Sequence, residues 1–169
     1  MSQDSVLTAA FGPILKQNGF KKKRGDTWYK DMPESIAIIN LQKSDYSNKW
    51  YVNVAIWIKG LDVSSIVPLK KLDIEKPAEN HCPFKIRWER IIERNFDEAD
   101  VKNIVSLTDM DEKTIPDNER IDAIRRMIYK HILPFLEKSA TINGLKKMAA
   151  TEPWSCYMWG IAKDFLGSK

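Results

Sequence analysis

The chain has 169 residues, 43% of them hydrophobic and 30% charged, with a net charge of +4 and two cysteines. This composition suits one globular domain over residues 1–169 with a sizeable core. It excludes a disordered chain and a disulfide scaffold, and the mild positive charge falls short of the concentrated stripe of a dedicated nucleic-acid binder.

The first element is a helix. Asp4 or Ser5 can cap it, and Val6, Leu7, Ala10, Ile14 and Leu15 recur near the helical period. Gly12-Pro13 predicts a kink or a break, because proline removes a hydrogen bond and clashes with the preceding turn; Asn18-Gly19 predicts the end. The basic run Lys21, Lys22, Lys23 and Arg24 follows as a turn. Four cations there can attract phosphate or an acidic partner, or simply solvate a loop. A short first strand is expected over 27–30, and Asp31-Met32-Pro33-Glu34 turns the chain into the next.

The strongest signal lies in two stretches, 35–42 and 50–59, rich in β-branched and aromatic residues and free of Gly and Pro. They read as long antiparallel strands joined by a polar loop. Setting Leu41 opposite Val52, Ile39 opposite Val54 and Ala37 opposite Ile56 makes one face wholly apolar. A slip of one residue would put Asn40 and Gln42 among valines, and a buried unpaired amide costs on the order of 1 to 3 kcal/mol. The preferred register leaves a mixed face of Ile36, Ile38, Asn40 and Gln42 beside Tyr51, Asn53, Ala55 and Trp57. That composition suits a ligand groove, or a face covered by a helix with its amides bonded to loop backbone.

Residues 60–80 read as an irregular segment with Pro68 and Pro77, long enough to carry short elements or function. A fourth strand is expected over 84–92, where Phe84, Ile86 and Trp88 alternate with Lys85, Arg87 and Glu89, although 90–94 equally suits the start of a helix. Helices follow over 97–108 (Val101, Ile104, Val105 and Leu107 inward), after Pro116-Asp117 with an interruption at Pro134, and over 141–150, weakened by Asn143-Gly144. A last helix from Pro153 carries the stripe Trp154, Tyr157, Met158, Ile161 and Phe165. The expected fold is α+β: a four-stranded antiparallel sheet with an N-terminal helix and C-terminal helices packed on it.

Asn-Gly-Phe-Lys-Lys-Lys-Arg-Gly-Asp-Thr-Trp-Tyr at 18–29, Asn40-Leu41-Gln42-Lys43-Ser44 and Tyr51-Val52-Asn53 resemble the domain-of-unknown-function family 4304, and Leu133-Pro134-Phe135-Leu136-Glu137 is similar to that family's C-terminal helix. This chain places Arg24 where the family pattern usually has Gly after the lysines. The resemblance implies a shared fold and a cytosolic bacterial protein. It implies no reaction.

The chemistry read from the residues is sparse. His81 and Cys82 are adjacent, and a four-ligand zinc site would need every His and Cys in the chain, so no metal and no cofactor is expected. Cys156 lies between apolar residues and reads as a buried thiol more readily than as half of a Cys-His pair. Asp109, Asp111 and Glu112 lack the spacing of a calcium loop. Glycine-rich phosphate loops, zinc-protease motifs and nucleophile elbows are absent. No stretch reaches the roughly 18 to 20 apolar residues that cross a bilayer and no leader pattern opens the chain, so a cytoplasmic protein without a membrane partner is expected. Trp28, Trp57 and Trp88 fall on three predicted strands, lining one sheet face or filling a core.

Three functions remain as expectations. The first is non-enzymatic binding of another protein, as an immunity or antitoxin-type partner, through the sheet face at Asn40, Gln42, Tyr51, Asn53, Trp57 and Arg87 together with the basic turn Lys21, Lys22, Lys23 and Arg24. The second is nucleic-acid binding through the basic run and the aromatics. The third is a small-ligand or catalytic pocket at the same mixed face.

Overall fold

The computed structural model describes residues 3–23, 25–94, 98–151 and 153–167, with residues 3–5, 98, 99, 101 and 102 by backbone alone. Arg24 and Asp97 lie outside this set, and the side chains of Asp4, Ser5 and Val101 lie outside it as well. Five antiparallel strands follow the order of the chain: β1 (Lys21–Lys22), β2 (Thr27–Asp31), β3 (Ser35–Lys43), β4 (Trp50–Ile58) and β5 (Phe84–Arg87). The additional strand, β1, comes from the basic run. Lys21 and Lys22 pair with Tyr29 and Trp28 across a turn closed by Lys23 N–H to Thr27 O at 2.7 Å. The α+β expectation holds, with one strand more than four.

The β3–β4 register sets Leu41 opposite Val52, Ile39 opposite Val54 and Ala37 opposite Ile56, as burial of the apolar set requires. The apolar face meets the helices. Helix α1 (Gln3–Gln17) packs on α4 (Asp117–Met127), and α2 (Trp88–Arg94) packs on β4, β5 and α3 (Glu98–Thr108). Aromatic contacts tie the layers together: Phe11 lies 5.8 Å from Trp88, and Phe84 lies 5.7 Å from Phe135 on α5 (Leu133–Lys138), centroid to centroid. Each ring buried this way contributes on the order of 2 kcal/mol or more.

The segment 59–83 crosses the other face. Its 3-10 turn Glu79–His81 packs on β3 and β4, Glu79 pairs with Lys85 at 3.6 Å, and Lys76 stands over the Tyr29 ring. The cover there is irregular chain, and Ile36, Ile38, Ala55 and Trp57 are buried beneath it.

Several boundaries differ from the sequence expectation, each for a physical reason. Helix α1 continues through Pro13. The proline leaves the Ala9 carbonyl without its helical donor, and Arg125 Nη2 donates to that oxygen at 3.1 Å. The end at Asn18-Gly19 stands: Phe20 N–H bonds to Leu15 O at 2.9 Å and Gly19 N–H to Lys16 O at 3.1 Å, with Gly19 at φ 83°.

Trp88 opens α2 instead of extending β5. Ile91 and Ile92 are adjacent and both apolar, which alternation cannot bury, whereas a helix hides Trp88, Ile91 and Ile92 together. In α3 the inward set is Ile104, Leu107 and Thr108, which turns Val105 out to solvent. The interruption at Pro134 takes the form of a π-turn, Ile128–Ile132, where Leu133 N–H reaches back to Ile128 O.

The last predicted helix is split. A 3-10 turn (Trp154–Tyr157) precedes Met158, which bridges to Phe84, while Trp159 N–H bonds to Pro83 O at 2.8 Å; α7 (Gly160–Phe165) follows. Pairing with the sheet edge outweighs continuation of the helix, and Ala162 and Leu166 are buried while Phe165 is exposed. Between α5 and α7, α6 (Ile142–Ala149) starts at Thr141, whose Oγ1 accepts from Gly144 N–H at 3.1 Å.

Candidate functional site

The strand pairings form rows across the mixed face. Thr27, Asn40, Asn53 and Arg87 stand side by side on β2, β3, β4 and β5; Gln42 and Tyr51 make the next row outward. The side chains bond along the row. Asn40 Nδ2 donates to Thr27 Oγ1 at 2.9 Å, and Asn53 Nδ2 donates to Asn40 Oδ1 and Gln42 Oε1, both at 3.1 Å. Asn53 is 1% exposed, Asn40 is half-buried and Gln42 is exposed, so the network runs from core to solvent. A buried amide needs such partners. Here the partners are other side chains and not the loop backbone.

Arg87 leans diagonally across to Tyr51, with its Cζ 3.8 Å from the ring centre. A guanidinium held over a ring through its π-face contact keeps N–H groups for an acceptor. Arg87 is exposed, so those groups face solvent.

The structure therefore brings together five of the six residues expected at this face. Trp57 is the exception. It lies in the row with Ile36, at the far end beneath segment 59–83, and is 4% exposed. Trp28, Trp57 and Trp88 do not share a face: Trp28 and Trp57 point to opposite sides of the sheet, and Trp88 meets Phe11 in the helical layer. Thr27 belongs to the site and sequence reading left it out. The tight turn at Asp31–Glu34 pairs Asp31 with Ile36, and counting back from that pair sets Thr27 opposite Asn40.

The basic run is partly engaged within the chain. Lys22 pairs with Asp26 at 3.6 Å and stands over Trp28, and Lys23 donates to Lys76 O; Lys21 and Lys22 are exposed.

Cys82 is buried, and burial pushes its thiol well above the usual range, whereas Cys156 is exposed, against the buried position its neighbours suggested. The turn between the helices leaves it at the surface. His131 is 2% exposed, with Nε2 2.7 Å from Asp100 Oδ2, which Lys130 also approaches at 2.8 Å. Asp109 pairs with Lys49 at 3.5 Å, Asp111 accepts from Asn48 at 2.7 Å, and Glu112 accepts from Thr114 N–H at 2.8 Å, so the acidic cluster holds the β3–β4 loop and its own turn. Among the described residues no group of three or more His, Cys, Asp or Glu could hold a metal ion, and no helix is long and apolar enough to cross a membrane.

Described clefts lie elsewhere on the chain. One of about 480 Å³ is walled by Lys138, Gly144, Lys147, Met148 and Trp154, and another of about 350 Å³ lies beside Arg120. Neither is lined by the amide row.

No curated protein and no solved structure matches the chain. A family model described as a domain of unknown function, DUF4304, matches residues 11–138, which hold the whole sheet, the amide row, the second half of α1 and the helices from α2 through α5. With three quarters of its length inside that match, the chain belongs to the DUF4304 family.

Proposed function

We propose that the protein is a non-enzymatic binding module that engages another protein through the uncovered end of the sheet face, at Gln42, Tyr51 and Arg87, with half-buried Asn40 and buried Asn53 holding Gln42 from behind. The same reading takes it to be cytoplasmic and bacterial, with an immunity or antitoxin-type role as its setting. The observation that carries it is the set of three amides joined through Asn53, beside a guanidinium 3.8 Å from the centre of the Tyr51 ring. The amides are held in place by each other and the guanidinium by the ring, so a partner meets preorganised donors at little entropic cost. The exposed guanidinium of Arg87, with exposed Lys21 on the same face at the opposite edge of the sheet, favours an acidic partner surface.

Affinity capture from the native host, run with the wild type, Arg87→Glu, Tyr51→Ala and a control Arg126→Glu on α4, tests this. One protein retained by the wild type and the control and lost with the two site variants is expected. Identical capture by all four chains, or no capture under gentle conditions, would overturn it. A toxin gene beside this one would fix the setting. Nucleic-acid binding is the competing outcome: it predicts steeply salt-dependent titration of DNA or RNA, whereas Lys22 and Lys23 already have partners within the chain.

A further inference from the structure

We propose that the cleft between α5, α6 and Trp154 is a second binding site, for a small aromatic anion. The cleft is about 480 Å³, within the range of small-molecule sites, and is walled by Glu137 and Lys138 on one side and by Asn143, Lys147 and Thr151 on the other, with Met148 and Trp154 as its apolar surface. A sulfur and an indole offer a planar ring dispersion and stacking contact that an aliphatic ligand would use poorly.

The position of Trp154 is built. Its ring lies 5.2 Å from Phe135, which lies 5.7 Å from Phe84 on β5, so the wall is braced against the sheet. Gly144 keeps the cleft narrow at its base, because a side chain there would meet Lys138 O at 1.9 Å; α5 and α6 approach as closely as backbone permits.

The charge of the lining selects the sign of the ligand. Two lysines, Lys138 and Lys147, face one carboxylate, Glu137, at the mouth, and both lysines are exposed. The start of α6 does not add a phosphate seat. Ile142 N–H is taken by Glu34 Oε2 at 2.8 Å and Gly144 N–H by Thr141 Oγ1 at 3.1 Å, so the anion is held by lysines and a carboxylate or sulfonate suffices.

A second cavity adjoins the cleft. It is smaller, about 50 Å³, shares Lys138, Met148 and Trp154 with the cleft and ends on Ile91, Pro134, Phe135 and His131. That volume takes one or two waters or a single small substituent, not a ring. The ring therefore sits outside on Trp154 and Met148. The π-turn is what brings His131 to the inner wall, and extra turns of this kind recur at functional sites.

Nuclear magnetic resonance titration with indole-3-acetate and its uncharged counterpart 3-methylindole tests the site, reading the Trp154 indole N–H resonance, assigned through Trp154→Phe. Indole-3-acetate is expected to shift that resonance saturably, and 3-methylindole to bind at least fivefold more weakly. Lys138→Glu with Lys147→Glu is expected to weaken the anion at least tenfold and to leave 3-methylindole unchanged; both positions are exposed, so the fold survives the exchange. Absence of a saturable shift at millimolar ligand, equal binding of the two probes, or shifts centred away from Trp154 would each overturn the proposal.

Discussion

Gly144 illustrates how a residue can be misread when only its own helix is considered. In an exposed helix a change from glycine to alanine gains about 1 kcal/mol, which is why Asn143-Gly144 looked like a weakness. Here the added Cβ would lie 1.9 Å from the Lys138 carbonyl, so the sign reverses. Gly144→Ala is expected to cost roughly 1 to 3 kcal/mol in urea unfolding, the usual range for overpacking.

Glu89 offers a test in pH. Burial raises its carboxyl above the ordinary 4.5, against the opposing pull of its own backbone N–H and of Arg87, and Oε2 is buried without a hydrogen-bond partner. A carboxyl raised in the folded state stabilises fully below its unfolded value, and that contribution is lost as pH climbs through the folded value. Glu89→Gln should therefore melt higher than the wild type at pH 7, and the difference should vanish below about pH 4. A constant difference across that range would contradict the assignment.

At the scale of elements, the alternation of Ala37, Ile39 and Leu41 against Val52, Val54 and Ile56 determined the pairing, because a one-residue slip would have turned every side chain over. The two central strands and the row containing Asn40 and Asn53 were therefore legible from sequence. What replaced the expected elements depended on partners distant in the chain. Met158 left its helical stripe to bridge Phe84, and α1 passed through Pro13 because a guanidinium more than a hundred residues away took the vacant carbonyl. Local propensity does not encode either event.

The α1 case lends itself to a double-mutant cycle. Arg125→Ala should cost about 1 kcal/mol more in the wild-type background than in Pro13→Ala, where the alanine N–H can serve Ala9 O in its stead. Equal costs in calorimetric or urea unfolding would show that Arg125 does not support the helix.

The whole molecule is layered as helices, sheet and the irregular segment 59–83, and that third layer divides the mixed face into a buried end around Trp57 and an open end around Gln42 and Arg87. Sequence showed the composition of the face but not where its cover would stop, since that depends on the path of a chain with no regular pattern. The family match ends at Lys138, so the aromatic cleft has one wall inside it and the other beyond.

The short bridge between Phe84 and Met158 has a bearing on how anything can approach this protein. Met158 and the Trp159 N–H occupy the rim of β5, and the opposite rim is two lysines long. Open rims invite copies of a chain to zip together, and lysines or a covering loop discourage it. A chain stopped after Thr151 would uncover the β5 rim and should sediment as larger, concentration-dependent assemblies than the full chain; matching profiles would refute this. With Met158 and Trp159 at one rim and lysines at the other, edge-on pairing is discouraged, and the favoured landing is broadside, on the flat of the ribbon beside Arg87.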